Sequence, residues 1–274
     1  MLSKIFVSFS LIIFSTSLCA QTSGDKFKVI DDARIKCTYL LEYQSDSANK
    51  ESINFEDMIL FIGDSVSVFQ SMNSYLRDSV MRNTQFNNAS VALASLSGYR
   101  TNFAYRLFKN YPRREMSFID RIPPHNYFLI EQPMNLFGWK IVKDTATISG
   151  YHCQKATAHF AGRDYIAWFT TEIPLSEGPY KFNGLPGLII EISDTRKQYI
   201  FKLTSLERIK KGIRIEFPER NYIRTTQKKF DKAYRDFIEN FSERLARMGI
   251  SLNLSEKDIK KRLSRNNNAL EIRY

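Results

Sequence analysis

Hydrophobic and polar residues alternate with a period of two over most of the chain, the pattern of a strand with one face buried. Ile35, Cys37, Tyr39 and Leu41 share one face, with Arg34, Lys36 and Thr38 on the other. The stretch from Phe27 to Tyr43 therefore predicts one long strand, or two broken near Asp31-Asp32. Met58 to Phe69 predicts a hairpin turning at Gly63-Asp64, with β-branched and aromatic residues on both arms. Further strands are predicted over Phe103 to Phe108, Met116 to Ile122, Asn126 to Ile130, Trp139 to Lys143, Tyr151 to Phe160, Asp164 to Thr170, Leu188 to Ile192, Tyr199 to Leu206 and Ile213 to Phe217. The linkers, among them Gly162-Arg163 and Lys210-Lys211-Gly212, are mostly short. Parallel crossovers need a dozen or more residues each, so the series reads as an antiparallel meander.

Two segments break this period. Between Ser71 and Gly98 the pattern loosens into Ser, Asn and Thr, with only Tyr75 to Arg82 briefly helical, and predicts a mobile flap. From Phe230 the period changes to three and four: Phe230, Tyr234, Phe237, Ile238, Phe241, Leu245 and Met248 form an apolar stripe before Gly249. That is an amphipathic helix of about five turns. Ser255 and Asp258 have the spacing that starts a second, short helix through Ile259 and Leu263. The expected fold is mainly β with a C-terminal α element: a curved antiparallel sheet, open as a half-barrel, with the helix laid on its face. In domain terms this gives a leader over 1–20, a β domain over 21–225 with its flap at about 71–98, and a helical tail over 226–274.

The densest signal lies from Gly178 to Asp194. Gly184-Leu185-Pro186-Gly187 predicts a tight, rigid turn, because the glycines enter left-handed or crowded backbone regions and Pro186 fixes one φ. Leu188 to Ile192 then runs apolar, as a strand covered on both faces does.

At these residues the sequence resembles the GLPGLI family, secreted or envelope proteins of Gram-negative bacteria named for the motif that stands here as Gly184 to Ile189. The resemblance extends through Gly150 to Ala156, Gly162-Arg163, Trp168-Phe169-Thr170, Ile173-Pro174 and Gly178-Pro179, and more loosely to an Asn-rich tail ending Leu270-Glu271. It implies an envelope protein and no reaction, since the family has no assigned activity. At the level of architecture the expected half-barrel is similar to the LolA-like carriers of periplasmic lipoproteins, an analogy of fold that carries no function.

Composition narrows the setting. Lys4, the apolar run Ile5 to Phe14 and the small residues before Gln21 form a secretory leader, with cleavage predicted after Ala20. Leu18 is bulky where lipoprotein processing at Cys19 wants a small residue, which argues against lipidation. No later stretch is long and apolar enough to span a bilayer, so an exported chain in the periplasm, at the outer membrane or outside the cell is expected. The formal charge of +11 becomes +10 without Lys4, with no nucleic-acid motif to use it. Cys37 and Cys153 remain in an oxidising compartment, as a disulfide or as two buried thiols.

Chemistry is sparse. His152 and Cys153 point to opposite strand faces and His159 lies far along the strand, so no metal site is expected, and His125 has no evident partner. Glu191 and Asp194 are the best acid candidates, yet no nucleophile, zinc or phosphate-loop motif accompanies them. No catalytic residue and no cofactor are assigned. Arg163, Trp168, Tyr180, Lys181, Leu185 and Pro186 mark where a ligand would sit. The expectation is a non-enzymatic protein that binds an apolar molecule, such as a lipid, or an envelope protein partner on the concave face of the sheet. The rivals are an accessory protein docking on an outer-membrane assembly and a hydrolase of unrecognised type.

Overall fold

Two meanders share one twelve-stranded sheet in the computed structural model, which describes residues 26–84, 89–122, 126–210, 212–241, 243 and 268–271. The first runs β2 (Ile35–Gln44), β3 (Ile53–Ile62), β4 (Ser67–Ser71), β5 (Arg106–Lys109), β6 (Glu115–Ile122) and β7 (Asn126–Pro133), each antiparallel to the next. The second runs β8 (Lys140–Ile148), β9 (Tyr151–Phe160), β10 (Arg163–Thr170), β11 (Leu188–Asp194) and β12 (Tyr199–Arg208). They join where β12 pairs with β2.

Connectivity makes the sheet curve. Ten strand spacings separate β7 from β8 in the sheet order, a width of about 48 Å if flat at ~4.8 Å per spacing. The chain passes from Pro133 to Lys140 between them, and so short a link reaches only about 25 Å fully extended. The edges must therefore approach each other, and the result is a large curved sheet not closed into a barrel. Met134, Leu136, Phe137 and Trp139 of that link pack against the core it crosses.

The concave face is filled by the chain itself. Alternate residues Cys37, Tyr39 and Leu41 of β2 are fully buried there, with Phe69, Phe169 and Phe201 from β4, β10 and β12. Over the other face of β3 to β7 lies a second cluster, including Ile59, Phe61, Val68, Phe108 and Ile119, which explains the unbroken apolar run Met58 to Ile62. Part of its cover is a two-stranded ribbon, β1 (Lys26–Asp32) paired with β13 (Arg214–Glu219), which contributes Ile215. The break at Asp31-Asp32 thus separates two strands that enter different sheets.

Two details differ from the sequence reading. β14 (Ile223–Thr225) runs parallel to β7, so the sheet is not wholly antiparallel. The segment read as a mobile flap holds two helices, α1 (Met72–Asn83) and α2 (Ala89–Leu96), with Ser71 capping α1 through the Ser74 N–H. Tyr75 of α1 packs on Phe61, 5.2 Å between ring centroids, so α1 sits on the outer side and does not gate the concave face.

Cys37 and Cys153 are both free and fully buried. Strands β12, β11 and β10 stand between theirs, a sheet path of roughly 19 Å, whereas a disulfide needs Cα atoms within about 7 Å. The possible bridge is therefore not made. Burial pushes the Cys37 thiol up to about 12, far from its reactive thiolate. In native protein at pH 8 neither cysteine should take a thiol reagent, and after unfolding without reductant both should; peptide mapping that finds them linked would reinstate the bridge.

The C-terminal helix, α3 (Gln227–Glu239), begins at the Thr226 cap, whose hydroxyl accepts from the Lys229 N–H. Phe230 and Phe237 are its buried stripe, and Phe230 meets Phe128 of β7 edge to face at 5.3 Å. The aromatic stripe does lie on the sheet, at the β7 edge. The leader over 1–20, His125, Leu245 to Gly249 and the second helix through Ile259 and Leu263 fall outside the described residues.

Candidate peptide-binding clasp

Residues 268–271 lie on the concave face, held by side chains that the family-like segment supplies. Ala161 and Gly162 both take positive φ, 48° and 78°, the geometry of a two-residue hairpin turn. The turn therefore stands one residue earlier than Gly162-Arg163, and Arg163 opens β10 opposite Phe160. From there Arg163, Tyr165, Ala167 and Phe169 alternate inward, all buried.

Arg163 is the hub. Nη1 donates to Asp194 Oδ2 and Gln198 Oε1, each at 2.9 Å. Nη2 donates to Asn268 Oδ1 at 2.6 Å and to the Ala269 carbonyl at 2.7 Å, and Nε reaches the same carbonyl at 3.2 Å. All five guanidinium donors are thereby used. The Tyr199 ring lies 5.0 Å from the guanidinium carbon. Asp194 is fixed in turn, its Oδ1 accepting the Gln198 and Tyr199 N–H groups at 2.8 Å.

Two tyrosines complete the grip. Tyr199 donates its hydroxyl to the Asn268 carbonyl, and Tyr165 donates to the Leu270 carbonyl at 3.0 Å. Three successive main-chain carbonyls, 268 to 270, are thus bonded by buried side chains. Asn268 also donates from Nδ2 to the Gln44 carbonyl at 2.7 Å and from its N–H to the Ser45 carbonyl. Burial and the neighbouring acids push the Tyr165 and Tyr199 hydroxyls up, so they stay protonated donors.

At the other end, Glu271 Oε1 accepts from Lys181 Nζ at 2.7 Å and from the Tyr180 hydroxyl at 2.8 Å. Lys181 is fully buried, and it also donates to Gln227 Oε1 at the start of α3. Tyr180 sits at φ 48° in a turn closed by the Phe182 N–H on the Pro179 carbonyl. That loop is anchored by Lys109, also fully buried, whose Nζ meets Glu177 Oε2 at 2.8 Å and the Gly178 carbonyl at 2.6 Å.

Of the six residues expected to touch a ligand, Arg163, Tyr180 and Lys181 converge on this clasp. Leu185 is buried in the core, while Pro186 is exposed at the turn. Trp168 is half-buried on the outer side of β10, opposite Glu191, with Lys155 Nζ 6.0 Å from its ring. Asp194 is consumed by Arg163 and two backbone N–H groups, and Glu191 faces outward. His159 pairs with Asp164 at 2.7 Å on the surface, and the His152 N–H donates to Glu172. No histidine joins either acid candidate among the described residues, and no group of three metal-ligating side chains is found among them.

Tyr165, Tyr199, Gln198 and Asn268 were not singled out from the sequence. Their alternation marks Tyr165 and Tyr199 as inward-facing, but nothing local says that a hydroxyl meets a carbonyl from a distant part of the chain. Only the family-like Leu270-Glu271 hinted at the partner.

Known proteins give little more. No curated protein matches. The chain is similar in fold to PNGF-II in its P21 crystal structure, at 14% identity and a TM-score of 0.51 over 74% of this chain and 33% of that one. A second PNGF-II structure, in space group C2, gives 14% identity and 0.49 over 77% and 33%. The chain thus spans about a third of the length of these structures, and the likeness is one of fold. Residues 160–191, which supply Arg163, Tyr165, Tyr180 and Lys181 to the clasp, match the family model described as "Protein of unknown function (Porph_ging)", the GLPGLI-type family of unknown function.

Proposed function

We propose that the chain is a non-catalytic binding protein whose concave face takes an extended peptide segment, with residues 268–271 occupying that place in cis. One observation carries the reading: buried side chains from β10 and β12 bond three consecutive carbonyls of the segment. Main-chain recognition tolerates other sequences, while Lys181 and Tyr180 select a carboxylate at the last position. The occupant expected from sequence, an apolar molecule, has less support, because Tyr39, Phe69, Phe169 and Phe201 pack that face shut. In this proposal the protein acts outside the cytoplasm, where a leader over 1–20 would send it.

The test is a chain ending at Asn267, mixed with a labelled synthetic peptide of residues 267–274. Saturable binding is expected, weakened at least about tenfold by Lys181→Met, which leaves the peptide carboxylate without its cation. A truncated chain that folds without binding the peptide overturns the reading. So does one that stays unfolded whatever the peptide concentration, because the segment would then be an inseparable part of the core.

A further inference from the structure

On the opposite face, a cavity of about 40 Å³ lies between the β1–β13 ribbon, α1 and the sheet. Val68 and Gln70 of β4 face this side, while Phe69 between them faces the main core. Gln70 is 6% exposed, and its Oε1 has no hydrogen-bond partner. Buried acceptors are nearly always satisfied, so this one calls for a donor inside the cavity, supplied by water or by a bound group.

The charges around it are uneven. Arg106 stands directly opposite Gln70 in the β4–β5 register, yet its guanidinium turns to Asp78. Arg82 of α1 turns to Glu216 of β13 at 2.5 Å. Both guanidiniums flank the Phe27 ring, at 4.9 and 6.0 Å from its centroid. Arg214 lines the same cavity; Asp32 stands opposite it in the β1–β13 register, with no ion pair formed between the two. Of the cavity's three arginines, Arg214 is therefore the one whose guanidinium is not held by a carboxylate.

We infer that this cavity binds a small monovalent oxyanion that carries its own O–H: the anionic oxygen on Arg214, the O–H donated to Gln70 Oε1. Guanidinium suits an oxyanion in fork geometry, and an amide oxygen suits a hydroxyl. A water needs roughly 10–15 Å³ of such space, so the cavity holds the equivalent of about three, which limits the occupant to a handful of heavy atoms. Dihydrogen phosphate and a two-carbon hydroxy acid share this chemistry and size. A sugar ring or an acyl chain does not fit. Once bound, the anion bridges the ribbon to the sheet, so ribbon attachment would follow anion concentration.

Calorimetric titration of the full chain at pH 6 and fixed ionic strength tests this, with inorganic phosphate and glycolate as probes and acetate as the control lacking the O–H. Saturable binding of phosphate or glycolate is expected, whichever is tighter naming the source, with acetate at least about tenfold weaker. Arg214→Gln should weaken the bound probe about tenfold. Its thermal midpoint without anion should move little, because Arg214 is exposed and forms no ion pair with Asp32 opposite it. Gln70→Met should erase the preference over acetate. No saturable binding of either probe, acetate binding equally well, or binding indifferent to Arg214→Gln would each overturn the assignment.

Discussion

Arg163→Ala is expected to cost about 3–5 kcal/mol of folding stability, the range for removing one partner of a buried ion pair. The remaining partner, Asp194, has a side chain only 1% exposed and would be left buried with two backbone bonds and no cation. The same change strips the Ala269 carbonyl and the Asn268 side-chain oxygen of their donors. Urea unfolding should show this as a lower midpoint, and limited proteolysis should show cleavage near residue 268 in protein that is still folded. The double change Arg163→Met with Asp194→Leu separates the two effects: stability should return only in part, because the stranded charge is gone while the Gln198 and Tyr199 N–H groups and the Ala269 carbonyl stay without partners, and the protease-sensitive tail remains. A tail equally protected in both variants would show that Arg163 supports the β10–β11 pair and no more.

Gly187→Val should be strongly destabilising. A Cβ at Gly187 would lie 2.0 Å from the Thr170 carbonyl oxygen and 2.6 Å from its carbon, and both are backbone atoms that no rotamer change moves aside. Overpacking usually costs about 1–3 kcal/mol when side chains can yield, so a backbone collision should exceed that range. Gly184 is the informative contrast. It takes φ +94°, but an added methyl would meet nothing nearer than the Trp139 ring at 3.8 Å, so Gly184→Ala should cost only the left-handed penalty of about 1–2 kcal/mol. Equal denaturation midpoints for Gly184→Ala and Gly187→Ala would refute this division of roles.

The two glycines show how far the sequence could be read. Gly-Leu-Pro-Gly announces a turn whose glycines answer backbone demands, and both do. Which one needs a left-handed φ and which a close approach depends on the end of β10 passing alongside, and no local pattern contains that. Strand existence was legible wherever one face is polar, as in β2, β9 and β12. The helix α1 was half-legible because its stripe is short and it rests on the outside of the sheet, where Tyr75 alone makes a strong aromatic contact. Arg163 and Lys181 stood out in the sequence, but their hold on residues 268–271 did not. A charged residue predicts solvent, and both lie instead under the tail, visible only when the last residues fold back on the middle of the chain. The separate ribbon was hidden for the same reason: β1 and β13 come from opposite ends of the β region.

The short link between β7 and β8 also has a kinetic meaning. Each meander consists of neighbours in sequence, which pair at little entropic expense, while the seam between β2 and β12 joins strands from opposite ends of the domain. Until that seam zips, β2 and β12 are both naked ten-residue edges carrying Tyr39, Leu41, Phe201 and Leu203. A nascent chain therefore holds one adhesive border from early in synthesis until its mate emerges much later, and that interval is when this protein needs protection from its own copies.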